Sequence, residues 1–457
     1  MDDKNAKLLN GMLIYAVGNF GTKIMSFLIV PLYTYYISTQ DMGTYDLINS
    51  TMSMCFPILT LQISDAAYRW LIRGGGDEYK KAAYQIIICN SIILIIIAGI
   101  VNLFYSIPFF TYIICSMFTN AVLDTMQKIL RGIDNQKLFA ISGVFYTFIF
   151  LLLNVIQICI LRKGIVCLFT SMIIANICVI IFIILKEKKI RVNIFIWPDK
   201  CIISKMLKFS VPLVPNQLNW WVMSSSDRYL ISFFLGVASN GIYSIAYKFP
   251  SLLQVIISLF NTSWQDISIS ETEKNSTYYT ILFRKLYKFS FSLVYFLIPL
   301  TQIYIILALN SDYKQAAKYI SFLYLGTIFQ GFSSFYGVGY LKEKNTKYAS
   351  LTSIYGAVVN FVVNILMIKF IGLHAAAFST FMGFLAMWLV REKQNRNSLQ
   401  ILINQKEFLA YLCIGIICAF VSLRSNLFID CIWAVIGFTS FLFINKDFIL
   451  WLLKNRK

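Results

Sequence analysis

The chain has 457 residues, of which 58% are hydrophobic and only 13% charged, where soluble globular proteins carry about 25% charged residues. That composition excludes a water-soluble enzyme, and about 265 apolar residues are enough for roughly a dozen membrane spans of about 20 residues each. Forty basic against 21 acidic residues give a net charge of +19, which in such a chain is tested first as a topology signal before any nucleic-acid partner is considered.

Taken in chain order, apolar runs bounded by charged or turn residues predict an all-α polytopic membrane protein with about fourteen transmembrane helices. They fall near 8–36, 42–64, 83–105, 108–127, 138–161, 165–185, 208–234, 238–266, 286–309, 315–340, 348–369, 374–390, 408–423 and 428–445. The first run, from Leu8, is too long for a signal-peptide core and lacks a small-residue cleavage site, so it reads as a retained span. Of the 40 basic residues, 31 fall on one side of this arrangement and six on the other. The positive-inside rule then places both termini in the cytoplasm and accounts for most of the +19 without a nucleic-acid partner. Loops on the outer side are short, so no soluble domain is expected on either face.

An internal repeat is written in the sequence. An offset of 198 pairs Ile24-Met25-Ser26 with Val222-Met223-Ser224 and Gly43-Thr44-Tyr45 with Gly241-Ile242-Tyr243. A second match, offset by about 210, pairs Asn154 with Asn364 and Thr170 with Thr380. Six spans separate the copies, so the repeats are parallel. The expected organisation is a six-helix lobe at 1–190, a basic cytoplasmic linker at 191–207, a second six-helix lobe at 208–390, two appended helices within 408–445 and a basic tail at 446–457. The linker, with Trp197 and Pro198, either lies on the anionic leaflet or simply fixes topology.

Charges inside apolar spans cost about 2.5–3.5 kcal/mol each on insertion scales and so need a partner, a wet cavity or a function. Lys23, Arg228 and Lys248 are such residues, with Asp46 and Asp227 as acidic counterparts. Tyr15, Asn19, Lys23 and Ser26 share one face of span one. On span seven, Asn216, Trp220, Met223 and Asp227 form one stripe, and Gln217, Trp221, Ser224 and Arg228 the next. Pro212 and Pro215 are expected to interrupt that span, and the 198 offset puts Pro215 opposite Val17, beside Gly18 and Gly21 of span one. The expectation is a polar, locally cationic vestibule; the bland alternative is that Asp227 pairs with Lys23 or Lys248 and only pins the helices.

Other chemistry is missing from the sequence. No Gly-Lys dipeptide occurs, so no Walker A loop is present. His374 is the sole histidine and reads as packing, the ten cysteines contain no CxxC pair, and neither a metal nor a cofactor is expected.

Several segments together resemble a known family. They are Tyr15-Ala16-Val17-Gly18-Asn19-Phe20, Pro31-Leu32-Tyr33-Thr34-Tyr35-Tyr36 and Gly43-Thr44-Tyr45-Asp46-Leu47, then Pro212-Leu213-Val214-Pro215-Asn216, Ser226-Asp227-Arg228, Asn240-Gly241-Ile242-Tyr243-Ser244 and Trp264-Gln265. The chain resembles bacterial O-antigen and capsular polysaccharide flippases, the polysaccharide transporters of the multidrug/oligosaccharidyl-lipid/polysaccharide exporter superfamily. The resemblance implies a non-enzymatic transporter moving undecaprenyl-pyrophosphate-linked oligosaccharide to the outer leaflet by alternating access, among membrane lipids and with polymerase and chain-length proteins as further partners. Lys23, Arg228 and Lys248 would then meet the pyrophosphate, while Asn19, Asn216, Gln217, Trp220, Trp221 and Tyr243 would meet sugar. Asp46 or Asp227 would carry a coupling ion, a proton or Na⁺, unless the membrane potential alone drives transport. A multidrug/cation antiporter of the same fold is the alternative, which the basic in-span residues disfavour. A polymerase or ligase would be expected to show a large outer loop that this sequence lacks.

Overall fold

A computed structural model describes residues 27–447, except 163, 194–197, 271–275, 343–345 and 425. Lys23 and Asn19, with the rest of the polar face expected on span one, lie outside the described residues. What is described is all-helical. Nine of its helices are long and apolar enough to cross a membrane, or ten if one bent pair counts as a single span, which is compatible with fourteen. Packing divides the chain into two compact units, one of residues 27–37 and 45–221, the other of residues 38–44 and 222–447. The division falls inside span seven, later than the basic linker from which the lobes were drawn.

The first unit begins with α1 (Val30–Tyr36) and the greater part of α2 (Thr39–Thr60). Next come α3 (Ile63–Ile72), α4 (Asp77–Tyr105), α5 (Phe110–Gly132), α6 (Gln136–Val155), α7 (Val166–Lys186), α8 (Lys200–Ser210) and the start of α9 (Leu213–Leu235). Span two departs from expectation. It breaks at Leu61 and Gln62, both left-handed at φ 46° and 53°, and resumes as α3 after a bend of 53°. The Thr60 hydroxyl accepts the Gln62 N–H and so stabilises the break. The stretch between the expected ends of spans two and three therefore starts as helix, because Ala66, Ala67 and Leu71 form a buried stripe. Ala66 and Ala67 pack with Ala82 and Ala83 of α4, Ala121 of α5 and Met206 of α8, small residues that let these backbones approach closely. Span seven also begins differently. α8 ends at Ser210 and α9 starts at Leu213, so Pro212 precedes the helix and Pro215 lies in its first turn, where a missing N–H costs nothing.

The second unit takes in the rest of α9, then α10 (Val237–Ser270), α11 (Ser276–Ala308), α12 (Ile320–Lys342), α13 (Thr346–Ile371), α14 (Leu373–Gln394), the single turn α15 (Arg396–Leu399), α16 (Gln405–Val421) and α17 (Leu427–Ile444). Its core is aromatic: Phe283, Phe291, Phe329, Phe332, Trp388 and Phe408 are linked by successive ring pairs with centroids no more than 6.4 Å apart, edge-on or tilted except for the stacked Trp388–Phe408 pair. The last two helices are fastened to α11. Glu407 of α16 accepts from Arg284, Lys288 and Tyr287, and Gly437 of α17 lies so near Tyr295 that a Cβ there would come 2.5 Å from its carbonyl oxygen.

The 198-residue offset reappears as geometry. Within the second unit the first turns of α2 cross the start of α10 at Gly43 and Gly241. A Cβ on Gly43 would lie 1.9 Å from the Val237 carbonyl oxygen, and one on Gly241 would lie 1.9 Å from that of Thr39. Thr39 and Val237 are themselves 198 apart, so each copy places its glycine on the other's backbone. Asn240, fully buried, adds a bond from its Nδ2 to the Gly43 carbonyl at 3.1 Å.

Candidate functional site

The polar run of α9 is helical despite its composition because its charges find partners within one turn or on neighbouring helices. Asp227 and Arg228 are 1% and 7% exposed. Asp227 Oδ2 accepts from the Tyr243 hydroxyl of α10 at 2.5 Å and from the Thr380 hydroxyl of α14 at 3.4 Å, while Oδ1 lies 3.5 Å from Arg228 Nη1. That last contact is long for an ion pair. The Arg228 guanidinium is held more firmly elsewhere, by the Ser224 carbonyl at 2.6 Å and by the Tyr247 ring, whose centroid is 4.8 Å away. Tyr243 and Tyr247 are one turn apart on α10, so a single helix face serves both charges.

α13 completes the cluster. Gly356 and Gly383 allow α13 and α14 to meet closely, a Cβ at either coming within 3.0 Å of the other's carbonyl oxygen. That approach brings Asn360 against α9, where its Nδ2 reaches the Met223 carbonyl at 3.4 Å. Asn360 Oδ1 and both amide atoms of Asn364, one turn further along, are buried with no hydrogen-bond partner among the described residues. An orphaned buried amide costs about 1–3 kcal/mol. Met223, which Asn360 reaches, is one turn from Asp227 on α9; hard oxygen acceptors suit a proton or a monovalent hard cation better than a transition metal, and no group of three His, Cys, Asp or Glu suited to a metal occurs among the described residues.

The repeat shows what is particular to this unit. Asn154 and Thr170, which match Asn364 and Thr380, are likewise polar inside the first unit: Asn154 Nδ2 caps the Phe150 carbonyl at 2.7 Å and Thr170 donates to Gln157. At the 198 offset, however, Asp227 and Arg228 correspond to Ile29 and Val30, both buried and apolar. Only the second copy carries the charges.

The structure brings together some of the sequence-derived residues and separates others. Asp227, Arg228 and Tyr243 form one cluster; Tyr243 is fully buried with its hydroxyl on Asp227, so in this structure it supports the carboxylate and presents no face to a sugar. Lys248 follows on the same helix, half-buried. Asn216, Trp220 and Trp221 belong to the first unit and are half-buried, Gln217 is exposed, and the Trp221 indole donates to the Ser50 carbonyl of α2 at 2.9 Å. Asp46, half-buried on α2, is also in the first unit. Sequence reading missed Asn360, Tyr247 and the role of Thr380; Asn364 and Thr380 had been noticed only as marks of duplication.

The buried charged cluster of α9 thus sits in an all-helical fold with many membrane-length apolar helices, and known proteins share that fold. The fold matches a solved structure described as "Lipid II flippase MurJ, inward closed conformation", with a TM-score of 0.72, 20% identity, 96% of this chain and 100% of that one covered. It also matches an inward-facing multidrug resistance MATE family transporter of the MOP superfamily, with a TM-score of 0.66, 12% identity and 83% and 94% coverage. A further MATE structure, bound to MaL6, gives 0.60 at 13% identity, covering 86% and 95%. No curated protein matches the chain in sequence. The model of the polysaccharide biosynthesis protein family matches residues 8–265, more than half of the chain. The chain belongs to that family.

Proposed function

We propose that the protein flips an undecaprenyl-pyrophosphate-linked oligosaccharide across the bacterial cytoplasmic membrane by alternating access, supplying O-antigen, capsule or exopolysaccharide synthesis. The observation that carries this reading is the buried Asp227–Arg228 cluster of α9 in a chain of the polysaccharide biosynthesis family. Arg228, with Lys23 and Lys248, offers positive charge to a pyrophosphate that could not otherwise enter hydrocarbon cheaply. Asn216, Gln217, Trp220 and Trp221, on the first half of α9, offer amides and flat rings to sugar, while the polyprenyl tail stays in lipid. Asp227 is the coupling carboxylate: neutralised by a proton or Na⁺, with Asn360 and Asn364 supplying amide oxygens, it would weaken its hold on Tyr243, Thr380 and Arg228 together.

MATE transporters share the fold, so a multidrug/cation antiporter is the second reading. A guanidinium buried beside the candidate carboxylate disfavours an organic cation at that place. The test is surface glycan in cells carrying Lys23→Ala or Arg228→Ala at normal membrane abundance. Loss of glycan is expected from each; normal glycan in both would remove the cationic residues from the mechanism.

A further inference from the structure

At the end of the first unit that the basic residues assign to the cytoplasm, α3 and α5 meet along a ladder of polar contacts. Ser64 Oγ donates to Asp124 at 2.7 Å, Lys128 is ion-paired with Asp65, and one turn on the Arg131 guanidinium lies over the Tyr68 ring, 4.7 Å from its centroid. Residues 65, 68 and 72 share one face of α3, and 124, 128 and 131 share one face of α5, so the ladder follows from the spacing. Where it ends, a cleft of about 400 Å³ opens, lined by Tyr68, Ile72, Arg131, Gly132, Asp134 and Gln136.

The lining combines one cation, one carboxylate, an amide and an apolar lip. Asp134 sits in the turn between α5 and α6 at φ 62°, a left-handed conformation that Asp tolerates better than most residues. Its Oδ1 accepts the Gln136 amide at 3.3 Å, and no further bond to it occurs among the described residues. Ile72 is 57% exposed and gives the cleft an apolar edge. Nearby Trp70 stacks on Tyr79 at 6.0 Å and meets Phe209 of amphipathic α8 edge-on at 5.6 Å, with Arg69 4.2 Å over Phe209. Mixed Trp, Tyr and Arg of this kind mark headgroup depth. An anionic ligand alone would meet the Asp134 carboxylate, and a cationic one alone would meet Arg131.

We propose that this cleft binds the headgroup of a zwitterionic phospholipid, its phosphate on Arg131 and a primary ammonium on Asp134, with the acyl chains leaving over Ile72. Guanidinium matches a phosphate in planar, two-donor fashion. Asp134 and the Gln136 amide oxygen provide acceptors that an N–H-bearing ammonium can use and a trimethylated one cannot. The proposal concerns a lipid held by the first unit and does not depend on which substrate is transported.

The test is a thermal-unfolding titration of the detergent-solubilised full chain with dioleoyl-phosphatidylethanolamine, -phosphatidylcholine and -phosphatidylglycerol in mixed micelles. Phosphatidylethanolamine should raise the midpoint saturably, with half-effect at a concentration about tenfold below that for phosphatidylcholine, the equivalent of one charge-assisted hydrogen bond. Asp134→Asn should bring those two lipids to parity, and Arg131→Gln should abolish the response to all three. Ile72→Trp, at an exposed position, fills the cleft without touching the ladder and should do the same if Arg131→Gln does not fold. Equal responses to the ethanolamine and choline lipids in the unaltered chain would overturn the proposal. So would phosphatidylglycerol acting best and gaining further in Asp134→Asn, which would mean a simple anion site on Arg131.

Discussion

Alanine at Gly43 or Gly241 should separate two helices that touch through bare backbone. At either position the new Cβ would start 1.9 Å from a carbonyl oxygen and 3.0 Å from the other glycine's nitrogen, so the helices must part by about 1 Å before repulsion is relieved. The obstacles are backbone atoms and cannot rotate away as a flexible side chain would. Overpacking of this kind costs about 1–3 kcal/mol, and the Asn240–Gly43 bond, worth about 0.6 kcal/mol in a membrane setting, would be stretched with it. Each single variant should therefore lose about 2–3 kcal/mol. Because the first substitution already moves the helices apart, the double variant should cost clearly less than the sum, a coupling of about 1 kcal/mol. Reversible unfolding in mixed micelles, run as a double-mutant cycle, reads both numbers. Single variants within 0.5 kcal/mol of the parent, or strictly additive losses, would refute a direct glycine-to-backbone crossing.

Three further outcomes follow from named contacts. Tyr243→Phe removes the hydroxyl that donates to Asp227 while keeping the buried ring, so transport should fall by about tenfold with abundance unchanged; unaltered transport would separate Tyr243 from the carboxylate. Arg391 is buried at the end of α14 and donates to Thr352, Ser353 and the Ser333 and Ala349 carbonyls, so Arg391→Met should cost about 2–4 kcal/mol by leaving several acceptors unmet, measured as the unfolding midpoint. Glu187, just past α7, is held below the usual carboxylate range, first by the Lys189 backbone N–H and then by the Asn135 amide. Its contribution is present above the ordinary glutamate pKa and lost as pH falls through its lowered value. Glu187→Gln should accordingly flatten the stability profile on the acid side, and an unchanged profile would show that the carboxylate charge contributes nothing.

Much of the fold was legible because membrane spans announce themselves. The run from Val166 to Lys186 or from Leu427 to Ile444 needs only apolar length to be placed, and both fall within a few residues of the expected ends. The repeat was legible too, since Gly43 and Gly241 must both be glycine for the crossing to close. The break at Leu61 and Gln62 was not legible, because neither residue favours a left-handed backbone and the Thr60 cap that steadies it becomes visible only in three dimensions. Pro212 and Pro215 were read as a mid-span break, although proline marks a helix start as readily as an interruption. For the site, charge in an apolar span singled out Asp227 and Arg228, which lie in one buried cluster, whereas Asn360 and Asn364 are neutral, and nothing in the sequence tells a satisfied amide from an orphaned one.

The most direct measurement of the central claim is translocation of a fluorescent undecaprenyl-pyrophosphate oligosaccharide in proteoliposomes containing the purified chain, with an imposed proton or Na⁺ gradient, comparing the parent with Asp227→Asn and Arg228→Gln. The parent should flip the lipid faster under one of the two gradients; Asp227→Asn should abolish that gradient dependence, and Arg228→Gln should remove flipping of the pyrophosphate lipid altogether. Gradient-driven flipping by both variants at the parent's rate would contradict the account.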